Sequence, residues 1–174
     1  IKLTKNNTTI NFSKSSYTYD GKAKEPTVKV FDSQGKVLKK SNYTVTYLNN
    51  VKVGKATVTV KFKGNYTGTI KKTFTIKPST PRIIAISSTS DSVTLIWKKQ
   101  SKQSSGYQIQ YATNKKFTKN KQTVTIVGTK KTSKKITRLS KKTTYYCRVR
   151  TYKTVNGKTY YSGWSKVWCT KENR

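Results

Sequence analysis

The stretch from Tyr145 to Trp168 constrains the fold of this chain more than any other. Residues alternate in character on both sides of Asn156-Gly157. That dipeptide tolerates positive φ at both central positions of a tight turn, so the stretch reads as a β-hairpin. It holds two of the three tryptophans, five tyrosines and one of the two cysteines. A two-residue turn at Asn156-Gly157 places Val155 opposite Lys158 and Cys147 opposite Lys166. Cys169 is then three positions out of register with Cys147. Bulges in the second strand would close that gap and allow one bridge; without them Cys147 and Cys169 are two buried thiols acting as small apolar residues.

The rest of the chain has the same character. Val, Ile, Thr, Tyr and Phe are plentiful, while Met and His are absent. Such usage favours strands. No window repeats apolar residues at spacings of three and four, so no long helix is expected. The 174 residues suffice for one large domain or two small ones. No apolar run is long enough to span a membrane. The chain starts at Ile1, without a signal peptide, and is expected to be a piece of a longer exported polypeptide.

Charge is the second constraint. Lys and Arg number 38 against five acids (Asp20, Glu25, Asp32, Asp91 and Glu172), a net charge of +33. Residues before Pro78 carry 16 basic and 3 acidic groups, and the rest carry 22 and 2. Both halves therefore repel themselves and attract polyanions.

In residues 1–78, Lys2 to Phe12 alternates loosely, as an edge strand does. Tyr17 and Tyr19 precede an Asp20-Gly21 turn, and Thr27 to Phe31 breaks at Asp32-Ser33-Gln34-Gly35. Tyr43, Val45 and Tyr47 share a face. Ala56, Val58, Val60 and Phe62 face one way and Thr57, Thr59, Lys61 and Lys63 the other, a half-buried antiparallel strand with a basic outer side. Gly64 to Gly68 makes a turn and Thr73 to Ile76 closes the unit. The series Tyr17-x-Tyr19-x-Gly21, Tyr43-x-Val45-x-Tyr47-x-x-Asn50, Gly54-x-Ala56-x-Val58, Gly64-Asn65-Tyr66-x-Gly68 and Phe74-x-Ile76 resembles the bacterial immunoglobulin-like repeats of Gram-positive surface proteins. Asn42 stands where that family usually has Asp.

Lys77-Pro78-Ser79-Thr80-Pro81 is a short, stiff connector, because proline fixes φ and lacks an amide donor. In residues 79–174, Val93, Leu95 and Trp97 alternate on one strand, and Tyr107, Ile109 and Tyr111 on the next. Val124 and Ile126 mark a third strand, Ile136 and Leu139 a fourth, and the hairpin follows. Pro81, Trp97, and Leu139 six residues before Tyr145 resemble a fibronectin type III domain. The resemblance implies that Tyr145 is the tyrosine corner, its hydroxyl tied to upstream backbone. Lys141-Lys142 replaces the Pro-Gly usual before the corner. The expected architecture is all-β: two tandem antiparallel β-sandwiches, immunoglobulin-like over 1–78 and fibronectin type III over 79–174.

Catalysis finds little support. The commonest general base, His, is absent. Asp20, Asp32 and Asp91 sit in expected turns, and no carboxylate pair suits a glycosidase. Two cysteines and scattered acids match no metal-ligand spacing, and no Gly-rich phosphate loop precedes a helix. The chain reads as a non-enzyme without cofactor or metal.

Tyr161-Ser162-Gly163-Trp164-Ser165 resembles the Trp-Ser-x-Trp-Ser signature of cytokine-receptor fibronectin domains, with Tyr for the first Trp. The resemblance implies that Arg148 and Arg150 stack between aromatic rings. A ladder inside the molecule therefore outweighs a sugar platform as the reading of Trp164. Trp168 has no such task. Beside Tyr152 or Tyr160 it is a candidate to stack on a sugar ring or a partner.

Lysines cluster at Lys115-Lys116, Lys119, Lys121, Lys130-Lys131, Lys134-Lys135 and Lys141-Lys142. A merely soluble surface mixes both signs, so this one points to an anionic partner. Lys outnumbers Arg 33 to 5. Arg is the residue of bidentate phosphate and guanine recognition, whereas Lys attracts diffusely. Sequence-specific nucleic-acid binding and membrane insertion are not expected. The reading is a non-catalytic structural or adhesive module of a larger bacterial surface or secreted protein, located outside the cell. Its partners would be anionic polymers, such as teichoic acid or acidic polysaccharide, and other domains of the same polypeptide. Two alternatives stand beside it: a carbohydrate-binding or spacer accessory module of a modular hydrolase, and a module specific for one host protein.

Overall fold

The computed structural model describes residues 1–4 and 6–170. Among them lie fourteen strands and one 3-10 turn at Lys40–Asn42. The chain divides into two compact units, Ile1–Lys77 and Pro78–Arg174. Glu172 lies outside the described residues.

The first unit contains β1 (Thr8–Phe12), β2 (Ser16–Thr18), β3 (Val28–Asp32), β4 (Tyr43–Leu48), β5 (Gly54–Phe62) and β6 (Thr69–Lys77). They form a two-stranded sheet, β1-β3, and a four-stranded one, β2-β6-β5-β4, in which β2 runs parallel to β6. On β5, Ala56, Val58, Val60 and Phe62 are all buried, as the alternation requires. Asp32 ends β3 because its carboxylate accepts the amides of Gln34 and Lys36, both at 2.9 Å. The edge strand expected from Lys2 is shorter: β1 starts at Thr8, and Lys2 lies outside it, in an isolated bridge to Thr67. Thr4 and Asn7 explain the break, since the Asn7 side chain accepts the Thr4 amide at 2.7 Å and bends the chain.

One lysine departs from the alternation. Lys72 pairs opposite the fully buried Val58, so its backbone position faces the interior. The chain escapes sideways: its amine lies 5.3 Å from the Phe12 ring and donates to the Ile10 carbonyl on β1. An inward lysine of this kind keeps its apolar stem dry and its charge wet.

The second unit contains β7 (Ile83–Ser88), β8 (Val93–Trp97), β9 (Gly106–Ala112), β10 (Gln122–Val127), β11 (Ser133–Ile136), β12 (Tyr146–Val155), β13 (Lys158–Tyr161) and β14 (Trp168–Cys169). One sheet is β11-β8-β7. The other runs β10-β9-β12-β13, with β14 also pairing β12. Between them lies a core of Ile83, Val93, Leu95, Trp97, Tyr107, Ile109, Ile126, Ile136, Tyr145, Cys147 and Val149. Trp97 meets Tyr107 edge to face, with centroids 5.3 Å apart.

The hairpin turn has φ of 48° at Asn156 and 74° at Gly157, and Val155 pairs with Lys158. Further along, the register differs from the simple expectation. Cys147 lies opposite Trp168, not Lys166, and Tyr146 lies opposite Cys169. The second strand gains two residues between Tyr161 and Trp168. The candidate disulfide is absent: both thiols are free, Cys147 buried and Cys169 exposed rather than inward-facing. Burial pushes the Cys147 thiol up to about 12, with the nearby Cys169 adding to the shift.

Candidate functional site

The two extra residues after Tyr161 have a chemical cause. The Ser162 hydroxyl accepts the Thr151 amide and the Ser165 hydroxyl accepts the Val149 amide, each at 3.0 Å. Meanwhile Ser162 and Ser165 donate their own amides to the Thr151 and Val149 carbonyls. Side-chain oxygens thus replace strand carbonyls, and the segment stays attached to β12 without regular pairing.

That segment places Trp164 over the outer face of the sheet. Arg148 and Arg150 alternate with the buried Cys147 and Val149, so both guanidiniums reach the same face. They form a five-layer stack: Phe117, Arg148, Trp164, Arg150, Tyr161. Arg148 lies 3.9 Å from the Phe117 centroid and 4.7 Å from that of Trp164. Arg150 lies 4.3 Å from Trp164 and 3.8 Å from Tyr161. Each guanidinium also donates twice to a glutamine carbonyl of β9, Arg148 to Gln110 and Arg150 to Gln108. Those glutamines in turn donate to Thr123 and Thr125 of β10, both at 3.1 Å. The rows Arg148–Gln110–Thr123 and Arg150–Gln108–Thr125 follow the strand register. Burial lowers both guanidinium pKa values from their ordinary level. Both charges are therefore committed inside the molecule.

Phe117 and the two glutamines were not evident from sequence. Gln108 and Gln110 sit two apart, as Arg148 and Arg150 do, and that matched spacing was the available signal. Phe117 had none, since it lies in a loop at φ 57°. The loop is held by Asn114, whose side chain accepts the Thr118 and Lys119 amides at 3.0 Å.

The tyrosine corner is present: the Tyr145 hydroxyl accepts the Ser140 amide at 3.0 Å. Lys142, in the place of the usual glycine, has φ of 52°.

All ten cluster lysines are exposed, but they do not share one face. Ala112 of β9 pairs with Tyr146 of β12, so the loops at 113–121 and 137–145 leave the same end of the sheet. Lys115, Lys116, Lys119, Lys121, Lys141 and Lys142 gather there. Gly106 pairs with Tyr152 and Val127 at the other end, about 20 Å away at the ordinary rise of a strand. Lys130 and Lys131 lie in a loop there, with Lys98, Lys99 and Lys102 in the neighbouring loop. Lys134 and Lys135 occupy β11 between the two ends. None of these lysines is ion-paired among the described residues; the recorded pair is Lys24 with Asp20, at 2.5 Å.

Trp168 and Tyr160 are not brought together. Trp168 pairs opposite Cys147 and Tyr160 opposite Lys153, six residues further along β12. Tyr160 is half-buried with the Lys158 amine 5.7 Å from its centroid. Trp168 instead lines a groove of about 640 Å3 with Trp164, Lys166 and the start of β7. Among the described residues, no group of three or more His, Cys, Asp or Glu side chains is placed to hold a metal, and no helix is long and apolar enough to cross a membrane.

The buried Trp97, the tyrosine corner and the strand order define a known class of β-sandwich. The fibronectin type III domain model matches residues 77–168, more than half of the chain, and the chain belongs to that family. No curated protein sequence matches it. Among solved structures, a two-domain fibronectin type III segment of chicken tenascin is 17% identical, covering 88% of this chain and 98% of that one, with a TM-score of 0.54. This likeness shows the β-sandwich fold. The FN1-FN3 domains of chicken CNTN1 are 19% identical, covering 71% of this chain and 42% of that one, with a TM-score of 0.47. A structure described as a myokine is 20% identical over 56% of this chain and all of that one, with a TM-score of 0.45. Domains of this family are typically extracellular structural or binding modules and are generally non-catalytic.

Proposed function

We propose that this chain is a non-catalytic module of a larger bacterial surface or secreted protein, built as an immunoglobulin-like sandwich followed by the fibronectin type III domain, with the Pro-containing connector between them. Its work is to hold the parent protein near anionic polymers, such as wall teichoic acid or acidic polysaccharide. The observation that carries this reading is the unpaired state of the exposed lysines. Ten of them crowd two loop-bearing ends and one edge strand of the second unit without an acidic neighbour in ion-pair contact among the described residues. Self-repulsion of this size costs stability, and a polyanion relieves it.

Both committed arginines favour the same view. With Arg148 and Arg150 held in the stack, contact with polymer falls mainly to lysine, which attracts without directional preference. Binding at the lysine clusters should then follow charge density rather than sequence or sugar identity. Affinity for teichoic acid and for polygalacturonate, measured by calorimetry, should fall steeply as salt rises, because screening and counterion release both act on such contacts. Replacing Lys115, Lys116, Lys119, Lys121, Lys141 and Lys142 by Gln should weaken binding about tenfold or more at low salt. Affinity that is indifferent to salt, or to this sixfold change, overturns the reading.

A further inference from the structure

The groove beside Trp168 differs in chemistry from the lysine clusters. Its floor is apolar and its rim holds both kinds of cation. Ile84 is the extra residue of a β-bulge: Ile83 pairs with Trp97 and Ala85 with Ile96, leaving Ile84 unpaired between them. A bulge redirects side chains. Here Ile83 stays in the core, while Ile84 is 49% exposed and lines the groove. Across from it stands Trp168, 37% exposed. Trp164 already holds a guanidinium near its ring on two counts. No ring or cation among the described residues is stacked on Trp168, so its face is open. Arg82 and Lys166, both exposed, complete the lining.

A polyphosphate or teichoic acid backbone has no use for this floor, since lysines alone would attract it. A sugar ring does, because its C–H face covers indole and isoleucine carbons and removes them from water. The volume of about 640 Å3 suits a few sugar rings rather than a folded partner. The cations add the second requirement. Arg82 is, with Arg138, one of two exposed arginines among the described residues, and its planar fork matches a carboxylate bidentately.

We infer that the groove formed by Arg82, Ile84, Lys166 and Trp168 binds a carboxylated sugar, a hexuronic acid unit stacked on Trp168 with its carboxylate at Arg82 and Lys166. This inference rests on the polyanion-binding reading and gives it one selective contact. Lysine clusters would hold a long acidic polysaccharide loosely, and the groove would choose among polymers of equal charge.

The test uses the full chain and a trimer of galacturonic acid, too short to engage the distant lysine clusters together. Its carboxyl-reduced, neutral counterpart is the control. Binding is followed through the indole N–H signals of the three tryptophans in 15N-labelled protein. The acidic trimer should shift the Trp168 signal saturably, and the neutral one should bind about tenfold or more weakly. Trp168→Ala should weaken acidic-trimer binding by a similar factor, whereas Trp168→Phe should retain most of it. Arg82→Gln, at an exposed position, removes the charge without disturbing the core and should abolish the preference for the acidic trimer. Saturable binding that leaves the Trp168 signal and the Arg82→Gln affinity unchanged overturns the inference. So does the absence of trimer binding while long polygalacturonate still binds in a salt-dependent way, and that outcome leaves the polyanion reading intact. If neither trimer nor polymer binds, both fail.

Discussion

Arg148 and Arg150 approach the same Trp164 ring, at 4.7 and 4.3 Å from its centroid, and each holds a second ring beyond it. Two like charges so close are tolerated because π faces and glutamine oxygens surround them. Trp164→Ala removes the shared ring, leaves both guanidiniums without their central partner and exposes the strand beneath. Cation–π contacts contribute about 0.5–1 kcal/mol each, and the lost packing adds to them, so a destabilisation of roughly 2–3 kcal/mol is expected in urea unfolding. Trp164→Phe should lose less than half of that. A loss below about 0.5 kcal/mol for the alanine variant would show that the stack is ornamental to stability.

The serine hydroxyls make a separate prediction. Ser165→Ala deprives the Val149 amide of its acceptor, and Ser162→Ala does the same to the buried Thr151 amide. An unsatisfied buried donor costs about 1–3 kcal/mol, whereas an exposed serine costs almost nothing. Hydrogen exchange at the Val149 and Thr151 amides should also accelerate in the respective variants, which locates the loss. Ser162→Thr and Ser165→Thr keep the acceptor and should retain protection if the methyl group is accommodated.

Much of this was legible in the sequence, for reasons that are local. The turn at Asn156-Gly157 follows from two adjacent residues that accept positive φ, and both do adopt it. Burial along β5 follows from strict alternation, and the stacking of Arg148 and Arg150 on Trp164 from the resemblance of Tyr161 to Ser165 to the Trp-Ser-x-Trp-Ser signature. The parts that were hidden depend on register and on loops. A hydroxyl standing in for a carbonyl lets the chain advance two residues without leaving its neighbour, so the place of Cys169 could not be counted from the turn. Phe117 enters the stack from a loop whose course is set by an Asn114 side chain. Lysines far apart in sequence share an end of the sheet, and neighbouring clusters lie at opposite ends, because strand direction alternates. The bulge that turns Ile84 toward Trp168 left no mark in a run of apolar residues.

Near the tyrosine corner, Lys142 occupies a left-handed conformation that glycine adopts without strain. A side chain there costs roughly 1–2 kcal/mol in conformational strain, partly offset by the greater entropy glycine loses on folding. Lys142→Gly should therefore stabilise the chain by up to about 1 kcal/mol, and slightly more at low salt because one positive charge is removed from the cluster. Tyr145→Phe should act in the opposite direction, by about 1 kcal/mol, since it frees the Ser140 amide. Thermal unfolding of both variants measures the pair, and a destabilised Lys142→Gly protein would contradict the strain argument.

The two cysteines give a chemical readout of the register. Cys169 is exposed and Cys147 is buried, so a thiol reagent such as DTNB should modify one equivalent in the native protein and two after denaturation. A result of no free thiol in either state would mean that the bridge forms after all. Burial raises the Cys147 pKa from its ordinary 9.0 to about 12, which also fixes a pH window. Below about pH 9 the thiol is protonated in folded and unfolded chains alike, and stability owes nothing to pH through this group. Between about 9 and 12 the unfolded chain ionises the thiol and the folded chain does not, so unfolding gains and stability falls by about 1.4 kcal/mol per pH unit. The contribution is read as a difference between two proteins that share every other group. The gap in stability between wild type and Cys147→Val, measured by urea unfolding from pH 8 to 11, should move steadily in favour of the valine variant as pH rises. A gap that stays constant across that range would show that the thiol is not held protonated by the core.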